Sequence, residues 1–355
     1  NMDHQLTRAT FAIISHPDAG KTTVTEKLLW FGGVVREAGK VKSKDGEFAK
    51  SDWMQMEQDR GISITSSVMS YHYNERAVHL LDTPGHKDFS EDTYRTLTAV
   101  ESVLMMIDGA KGVEGQTEKL MDVCRLRDTP VTTFINKFDR DAMDPFELID
   151  NIEKKLSINC VPMTWPIGDG VDFKGVYDFK TKMIRSFGDK KDPFNPTIID
   201  ASDLNAPHIT NFMGEALKEK LAEDLLMVEE LIEPFNEELY LSGIQSPIFF
   251  GSALFNFGVK EVLDMITTYA PGPKARSAKL KPYDVDADAK EISPEHQKFS
   301  GFIFKIQANM DKKHRDRIAF MRVCSGVFRR NTKIFHVRTE KEMKITSPQI
   351  FQARD

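Results

Sequence analysis

The amino-acid sequence predicts an α/β fold: a mostly parallel sheet covered by helices on both faces, carrying an inserted subdomain and followed by a partial antiparallel β-barrel. Three observations lead there. Short apolar runs at Thr10–Ile14, Val78–Leu81, Ser102–Ile107, Val131–Ile135 and Pro247–Phe250 alternate with loops and with helical patterns such as Thr22–Phe31, Asp88–Ala99 and Gln116–Arg127. Strands apolar along their whole length are buried on both faces, and strands alternating with helices build parallel sheets. From about residue 168 to 245 the rhythm breaks: Phe173–Phe179 reads as strand and turn, and Met213–Leu241 as an acidic helical stretch whose charges fit a solvated face, with a docking surface as the alternative. After the linker near Ala270–Lys279, dense in proline and glycine, the period becomes two, at Phe302–Gln307 and Ala319–Val323, with a turn at Ser325–Gly326. The expected division is residues 1–275, with the insertion at about 168–245, and residues 276–355. Asp355 comes after too few strands to close a barrel, so the second part is read as incomplete.

Composition narrows the class. With 355 residues, 40% hydrophobic and 29% charged, the chain can bury at least one large core. No apolar run approaches the roughly 18 residues of a membrane span, and the N-terminus lacks a signal-peptide pattern. Cys124, Cys160 and Cys324 are too far apart for a metal or redox pair, which fits a reducing cytoplasm. The net charge of −6 hides a split: residues 301–344 hold 12 Lys/Arg against 4 Asp/Glu, a net of +8, so the first 300 residues carry −14. A basic β-module that includes Lys312, Lys313, Arg315 and Arg317 suggests a phosphate-rich partner.

Four segments carry chemistry. The run at Thr10–Ile14 leads into Ser15-His16-Pro17-Asp18-Ala19-Gly20-Lys21-Thr22-Thr23 and then a helix. A tight loop before a helix aims backbone N–H groups and the positive dipole end at phosphates. Lys21 can reach the β/γ-phosphates and the Thr22 hydroxyl can ligate Mg²⁺. Ser15 stands where that loop pattern ordinarily begins with Gly. Second, Asp82 follows an apolar strand within Asp82-Thr83-Pro84-Gly85-His86. The Asp can hold Mg²⁺ directly or through water, Gly85 leaves its N–H free for a γ-phosphate, and His86 can orient the attacking water.

Third, Asn136-Lys137-Phe138-Asp139 again closes a strand. The Asp139 carboxylate can accept from guanine N1–H and its exocyclic amine, a pair that adenine does not offer. Asn136 can hold neighbouring loops, and the Lys137 stem can lie over the ring. Fourth, Ser252-Ala253-Leu254 follows the late strand, where its backbone can address guanine O6. In this order and at strand ends, the four segments read as a P-loop GTPase domain that takes GTP, GDP and Mg²⁺.

The segments Ser51–Glu57 and Arg60-Gly61-Ile62-Ser63-Ile64-Thr65 resemble the first switch of ribosomal translation GTPases, and Asp82–His86 resembles the second. Ser15–Thr23, Phe89–Val100, Pro162–Gly168, Phe304–Asp311 and His314–Arg317 resemble the peptide chain release factor 3 group of that family, close to elongation factor G. The resemblance covers essentially the whole chain. It implies action on the ribosome, through its RNA and proteins, promoting departure of a class-I release factor after peptide release. It also implies an insertion in the GTPase domain, a barrel after it, and a further domain not included in this sequence. The switch-I Mg²⁺ ligand would be Ser63, where relatives often carry Thr, beside Thr22 and with Asp82 in the water shell. His86, Lys21 and Gly85 would do the catalytic work. No arginine finger declares itself, so turnover should need an activating partner. The competing readings are an elongation factor G-like translocase, a non-hydrolysing guanine-nucleotide scaffold, which His86 opposes, and a P-loop kinase or ATPase, which Asp139 opposes.

Overall fold

A computed structural model describes residues 8–31, 63–64, 68–81, 91–187, 196–272, 276–278, 290–292, 299–308, 317–325, 328, 333–337 and 341–344. In chain order these form β1 (Arg8–Ser15), α1 (Lys21–Leu29), β2 (Ser63–Ile64), β3 (Val68–Tyr73), β4 (Arg76–Leu81), α2 (Glu91–Ala99), β5 (Ser102–Asp108), α3 (Gly115–Arg125), β6 (Val131–Asn136), α4 (Pro145–Leu156) and β7 (Asn159–Pro162). There follow β8 (Thr164–Ile167), β9 (Gly175–Asp178), β10 (Met183–Ser186), β11 (Thr197–Asp200), α5 (Pro207–Met213), α6 (Glu215–Leu231), α7 (Glu237–Leu241), β12 (Gln245–Phe250) and α8 (Val259–Tyr269). The C-terminal part contributes β13 (Arg276–Ala278), β14 (Lys290–Ile292), β15 (Ser300–Ala308), β16 (Arg317–Ser325), β17 (Lys333–His336) and β18 (Lys341–Lys344).

The α/β class is as the sequence predicts. One eight-stranded sheet runs in the order β2-β3-β4-β1-β5-β6-β12-β7. Every pairing from β4 to β7 is parallel, and only β2 and β3 pair antiparallel. All five apolar runs are strands of this sheet. β5, β6 and β12 are buried at every position, because helices cover both faces. Helix α4 shows how local sequence sets an element. Pro145 is pre-shaped for the first turn, the Asp144 side chain accepts the Phe146 N–H at 2.9 Å, and Lys154 and Lys155 meet the negative end of the dipole. Its Leu148, Ile149, Ile152 and Leu156 form the buried stripe that an amphipathic helix presents to a core.

Between β7 and β12 the chain builds a second, antiparallel sheet in the order β11-β10-β9-β8. It starts at Thr164, four residues ahead of the break read from sequence. Trp165 fastens it to the main sheet: its ring lies 5.4 Å from Phe250 and 4.9 Å from Phe146, and its indole N–H donates to Asp224 on α6 at 3.1 Å. The helical stretch expected from Met213 to Leu241 is broken. Gly214 turns the chain at φ 83° and ψ 164°, and α6 stops before Pro234, which cannot continue a helical hydrogen-bond ladder. Its acidic residues are exposed as expected, except Asp224, which is buried and also pairs with Lys220 at 3.3 Å.

The C-terminal strands pair antiparallel as β13–β14, β15–β16 and β17–β18, in keeping with the change of period to two. Of the four basic residues singled out there, Arg317 opens β16, while Lys312, Lys313 and Arg315 lie outside the described residues. Among the described residues no helix is long and apolar enough to cross a membrane. Cys124 and Cys160 are buried free thiols; burial pushes Cys124 up to about 12 and Cys160 well above its usual value, so both stay protonated and inert.

Candidate nucleotide-binding site

Three loops meet at the carboxyl end of the parallel strands, the edge at which open α/β sheets bind ligands. The first follows β1. The His16 carbonyl accepts the Ala19 N–H at 3.1 Å, closing a short 3₁₀ turn at Pro17–Ala19, and Gly20 swings the chain into α1 at φ 97°, ψ 26°. That left-handed conformation favours glycine, and a Cβ there would also lie 2.4 Å from the Asn136 amide nitrogen. Lys21 and Thr22 therefore open the helix, Lys21 half-buried and Thr22 exposed at the mouth of the loop. The Ser15 hydroxyl and the His16 Nδ1 are buried without a hydrogen-bond partner among the described residues, and His16 Nε2 lies 4.0 Å from Glu114.

The second loop follows β6 and ties the others together. Asn136, buried, donates to the Ala19 carbonyl at 3.0 Å and accepts the Ala253 N–H at 2.9 Å. One amide thus spans the phosphate loop and the Ser252–Leu254 loop. Lys137 adopts φ 70°, which carries its side chain back across the phosphate loop to donate to the Asp18 carbonyl. Phe138 turns inward, edge-on to Phe250 at 5.5 Å, and anchors the motif in the core. Asp139 is half-buried and accepts the Ser252 hydroxyl at 2.7 Å. It does not cap α4; Asp144 does.

The third loop follows β12. Gly251 donates to the Ile135 carbonyl at 3.0 Å and accepts the Phe138 N–H at 3.1 Å, so it is bonded to the strand and loop that carry the Asn136 motif. A Cβ on Gly251 would sit 2.0 Å from the Phe257 carbonyl oxygen. Ser252 and Phe257 exchange backbone hydrogen bonds at 3.0 and 2.9 Å, which closes the loop. Ser252 and Ala253 are fully buried while Leu254 is 55% exposed.

The structure thus brings Ser15–Thr23, Asn136, Lys137, Asp139 and Ser252–Leu254 to one edge. Ser63 lies on β2 in register with Ser70. Thr65, Asp82, Gly85 and His86 lie outside the described residues; the strand leading to the last three ends at Leu81, paired with Ala12 of β1. Sequence reasoning passed over Asp108, the buried carboxylate that closes β5. Its Oδ1 accepts the Ala110 N–H at 2.8 Å and its Oδ2 lies 3.3 Å from the Lys137 ammonium. The available signal was an acidic residue directly after the apolar run Val103–Ile107, before Gly109.

Among the described residues no group of three or more His, Cys, Asp or Glu could hold a metal ion. Of the residues expected to ligate Mg²⁺, Thr22 is exposed at the mouth of the phosphate loop, the backbone of Ser63 lies on β2, and Asp82 lies outside the described residues. Residues 7–272 match the family model described as Elongation factor Tu GTP binding domain, and residues 298–355 match the one described as Elongation factor G domain 2.

Proposed function

Because the chain belongs to the elongation factor Tu GTP-binding domain family, and so to the translation-factor GTPases, we propose that it hydrolyses GTP on the ribosome and promotes dissociation of class-I release factors after peptide release. The observation that carries the nucleotide part is Asn136, which bonds the phosphate loop and the Ser252–Leu254 loop at once, with Asp139 held beside them. The release-factor part rests on the segments around Ser15–Thr23, Phe89–Val100, Trp165 and Phe304–Asp311.

In this reading the N–H groups of residues 15–23 and the Lys21 ammonium hold the phosphates. Asp139 accepts from guanine N1–H and the 2-amine. Ala253 gives its N–H to Asn136, so the backbone of Leu254 is left to face O6. Mg²⁺, when bound, neutralises charge on the β- and γ-phosphates; Thr22, Ser63 and Asp82 would hold it. His86 positions the attacking water and Gly85 contacts the γ-phosphate. The ribosome supplies what the chain lacks for fast turnover, and loss of the γ-phosphate releases the two switch segments. We also assign residues 1–275 to the GTPase domain, with its insertion at about 168–245, and 276–355 to an incomplete barrel domain. The protein would work in the cytoplasm, with its basic β-module against ribosomal RNA.

The match of residues 298–355 to an elongation factor G domain favours one second reading, a translocase. GTP turnover with and without ribosomes, followed by parallel assays of release-factor dissociation and translocation, separates the two. Stimulated turnover with release-factor dissociation supports the proposal; stimulated turnover with translocation alone replaces it. His86→Ala should leave GTP binding intact and slow ribosome-stimulated hydrolysis by roughly 10²–10⁴-fold. Undiminished single-turnover hydrolysis removes His86 from the mechanism.

A further inference from the structure

Asp108 has a chemistry that neither phosphate binding nor base pairing explains. It is 4% exposed, at the end of a strand buried at every position. A buried carboxylate is costly unless it is paired and hydrogen-bonded. Both conditions are met, and both point to the site. Asp108 stands in register beside Asn136 on β6, its Oδ1 takes the Ala110 N–H at 2.8 Å, and its Oδ2 faces the Lys137 ammonium at 3.3 Å. The backbone around it is fixed as well: its carbonyl accepts the Gly112 N–H at 2.9 Å, and Gly109 donates to the Asn136 carbonyl at 2.9 Å. The carboxylate therefore has little freedom to follow the lysine; the lysine is held by the carboxylate.

We propose that Asp108 is a positioning residue of the guanine pocket: with the Asp18 carbonyl it pins the Lys137 ammonium, so that the lysine stem is already laid down as the wall against which the purine ring packs. The inference rests on the guanine-pocket reading above and deepens it. A lysine has four rotatable bonds, and ordering such a side chain on binding subtracts from affinity. Here the ordering is done in advance by a charge sunk into the end of β5, and a pocket wall fixed before the ligand arrives raises affinity without any new contact to it. The same pair closes an electrostatic loop. Unpaired, Asp108 would be a negative charge beside a loop built for phosphates; paired, its charge is neutralised by a residue of the base motif. Asp108 touches no nucleotide in this scheme and acts through Lys137 alone.

The test is a double-mutant cycle on guanine-nucleotide affinity, using the purified chain and GDP, with ADP as the control ligand. Asp108→Asn keeps an oxygen for the Ala110 N–H but turns an amide toward the ammonium. It should weaken GDP binding about tenfold, the factor set by ordering one long side chain. In a Lys137→Met background the same change should move GDP affinity less than about twofold, because nothing is left to position. A merely structural role would weaken binding equally in both backgrounds, and that result overturns the proposal, as does an unchanged affinity in the Lys137 background. Should Asp108→Asn fail to fold, Asp108→Ser, whose hydroxyl can accept from Ala110 without charge, reads the same cycle. A wild-type chain that does not prefer GDP to ADP removes the guanine pocket and the proposal together. A wild-type preference for GDP with no Asp108–Lys137 coupling removes the proposal alone.

Discussion

The two ends of the parallel sheet use polar side chains in opposite ways. At the carboxyl end, Asn136 and Lys137 hold neighbouring loops by their backbones and Ser252 bonds the Asp139 side chain, while the Ser15 hydroxyl and His16 Nδ1 have no partner among the described residues. At the amino end, Arg76 sits at the tip of the β3–β4 hairpin, whose turn residues Asn74 and Glu75 take the positive φ values of a tight hairpin. Its guanidinium donates to the carbonyls of Arg8, Thr267 and Ala270 at 2.6, 3.1 and 2.7 Å. Beside it Tyr73 donates to Asp264 at 2.5 Å and Asn74 to Thr267 at 3.2 Å. The amino end thus turns its polar groups inward, locking the start of β1, the hairpin and the last turn of α8 together. The carboxyl end is assembled as firmly, but there two buried polar groups of the first loop lack a partner among the described residues.

Substitutions at each end sharpen that contrast. The largest effect is expected at Asp139. Asp139→Asn replaces an acceptor for guanine by a donor facing a donor, leaving two groups unsatisfied at roughly 1–3 kcal/mol each, so GTP affinity should fall about 10- to 10⁴-fold. Xanthosine triphosphate, with a carbonyl in place of the amine, should bind the variant better than GTP does. The Ser252 hydroxyl can still donate to the amide oxygen of the substituted side chain, so the fold should be kept. Affinities for both nucleotides on the purified variant decide it; equal losses for the two would mean that Asp139 only braces the loop.

The next effect belongs to the amino end and should appear in stability rather than binding. Arg76→Met removes three charge-assisted bonds to carbonyls and leaves those acceptors short of a donor, which should cost about 2–4 kcal/mol of folding free energy. Nucleotide affinity measured on the folded variant should stay within about twofold, because sites that share no partners are nearly independent. A large loss of GTP affinity with an unchanged urea midpoint would break the division between the two ends.

The smallest effect concerns α8, which runs from one end to the other. In its first turn Glu261 is mostly buried and is held by Arg185 of β10 at 2.7 Å. Burial pushes its carboxyl up, and Arg185 pulls it partly back. The folded protein then keeps a proton that the unfolded chain has released, so stability is fullest below the ordinary carboxylate value and falls as pH rises through the raised one. Glu261→Gln should flatten that part of the stability profile above about pH 4.5, and urea midpoints measured across the acid range report it. An unchanged slope would mean that Arg185 compensates the burial fully.

The proposed nucleotide edge was more legible in the sequence than the clamp at the amino end. Binding phosphate and guanine demands particular residue types at consecutive positions: Gly20 where the loop turns, Lys21 and Thr22 at the helix start, and Asn136 and Asp139 at a strand end. Such demands are written along the chain. Arg76 is an ordinary arginine after an ordinary turn until α8, nearly two hundred residues later, brings it the carbonyls of Thr267 and Ala270. The acidic stretch is an intermediate case. Its exposed glutamates were legible as solvated surface, whereas the burial of Asp224 depended on Trp165 arriving from β8.

By itself the sequence determined the five apolar strands, the alternation that makes the sheet parallel, and the residue types of the four motifs, because each depends on a local period or on a local chemical need. Tertiary structure alone decided the strand order, the second sheet that begins at Thr164, the division of the acidic helical stretch into α6 and α7, and the burial of Asp108 beneath Lys137. The physical reason is the same in each case. A side chain's burial and its partner are properties of what packs against it, and for Asp108 the partner lies just past the end of the next strand, 29 residues along the chain.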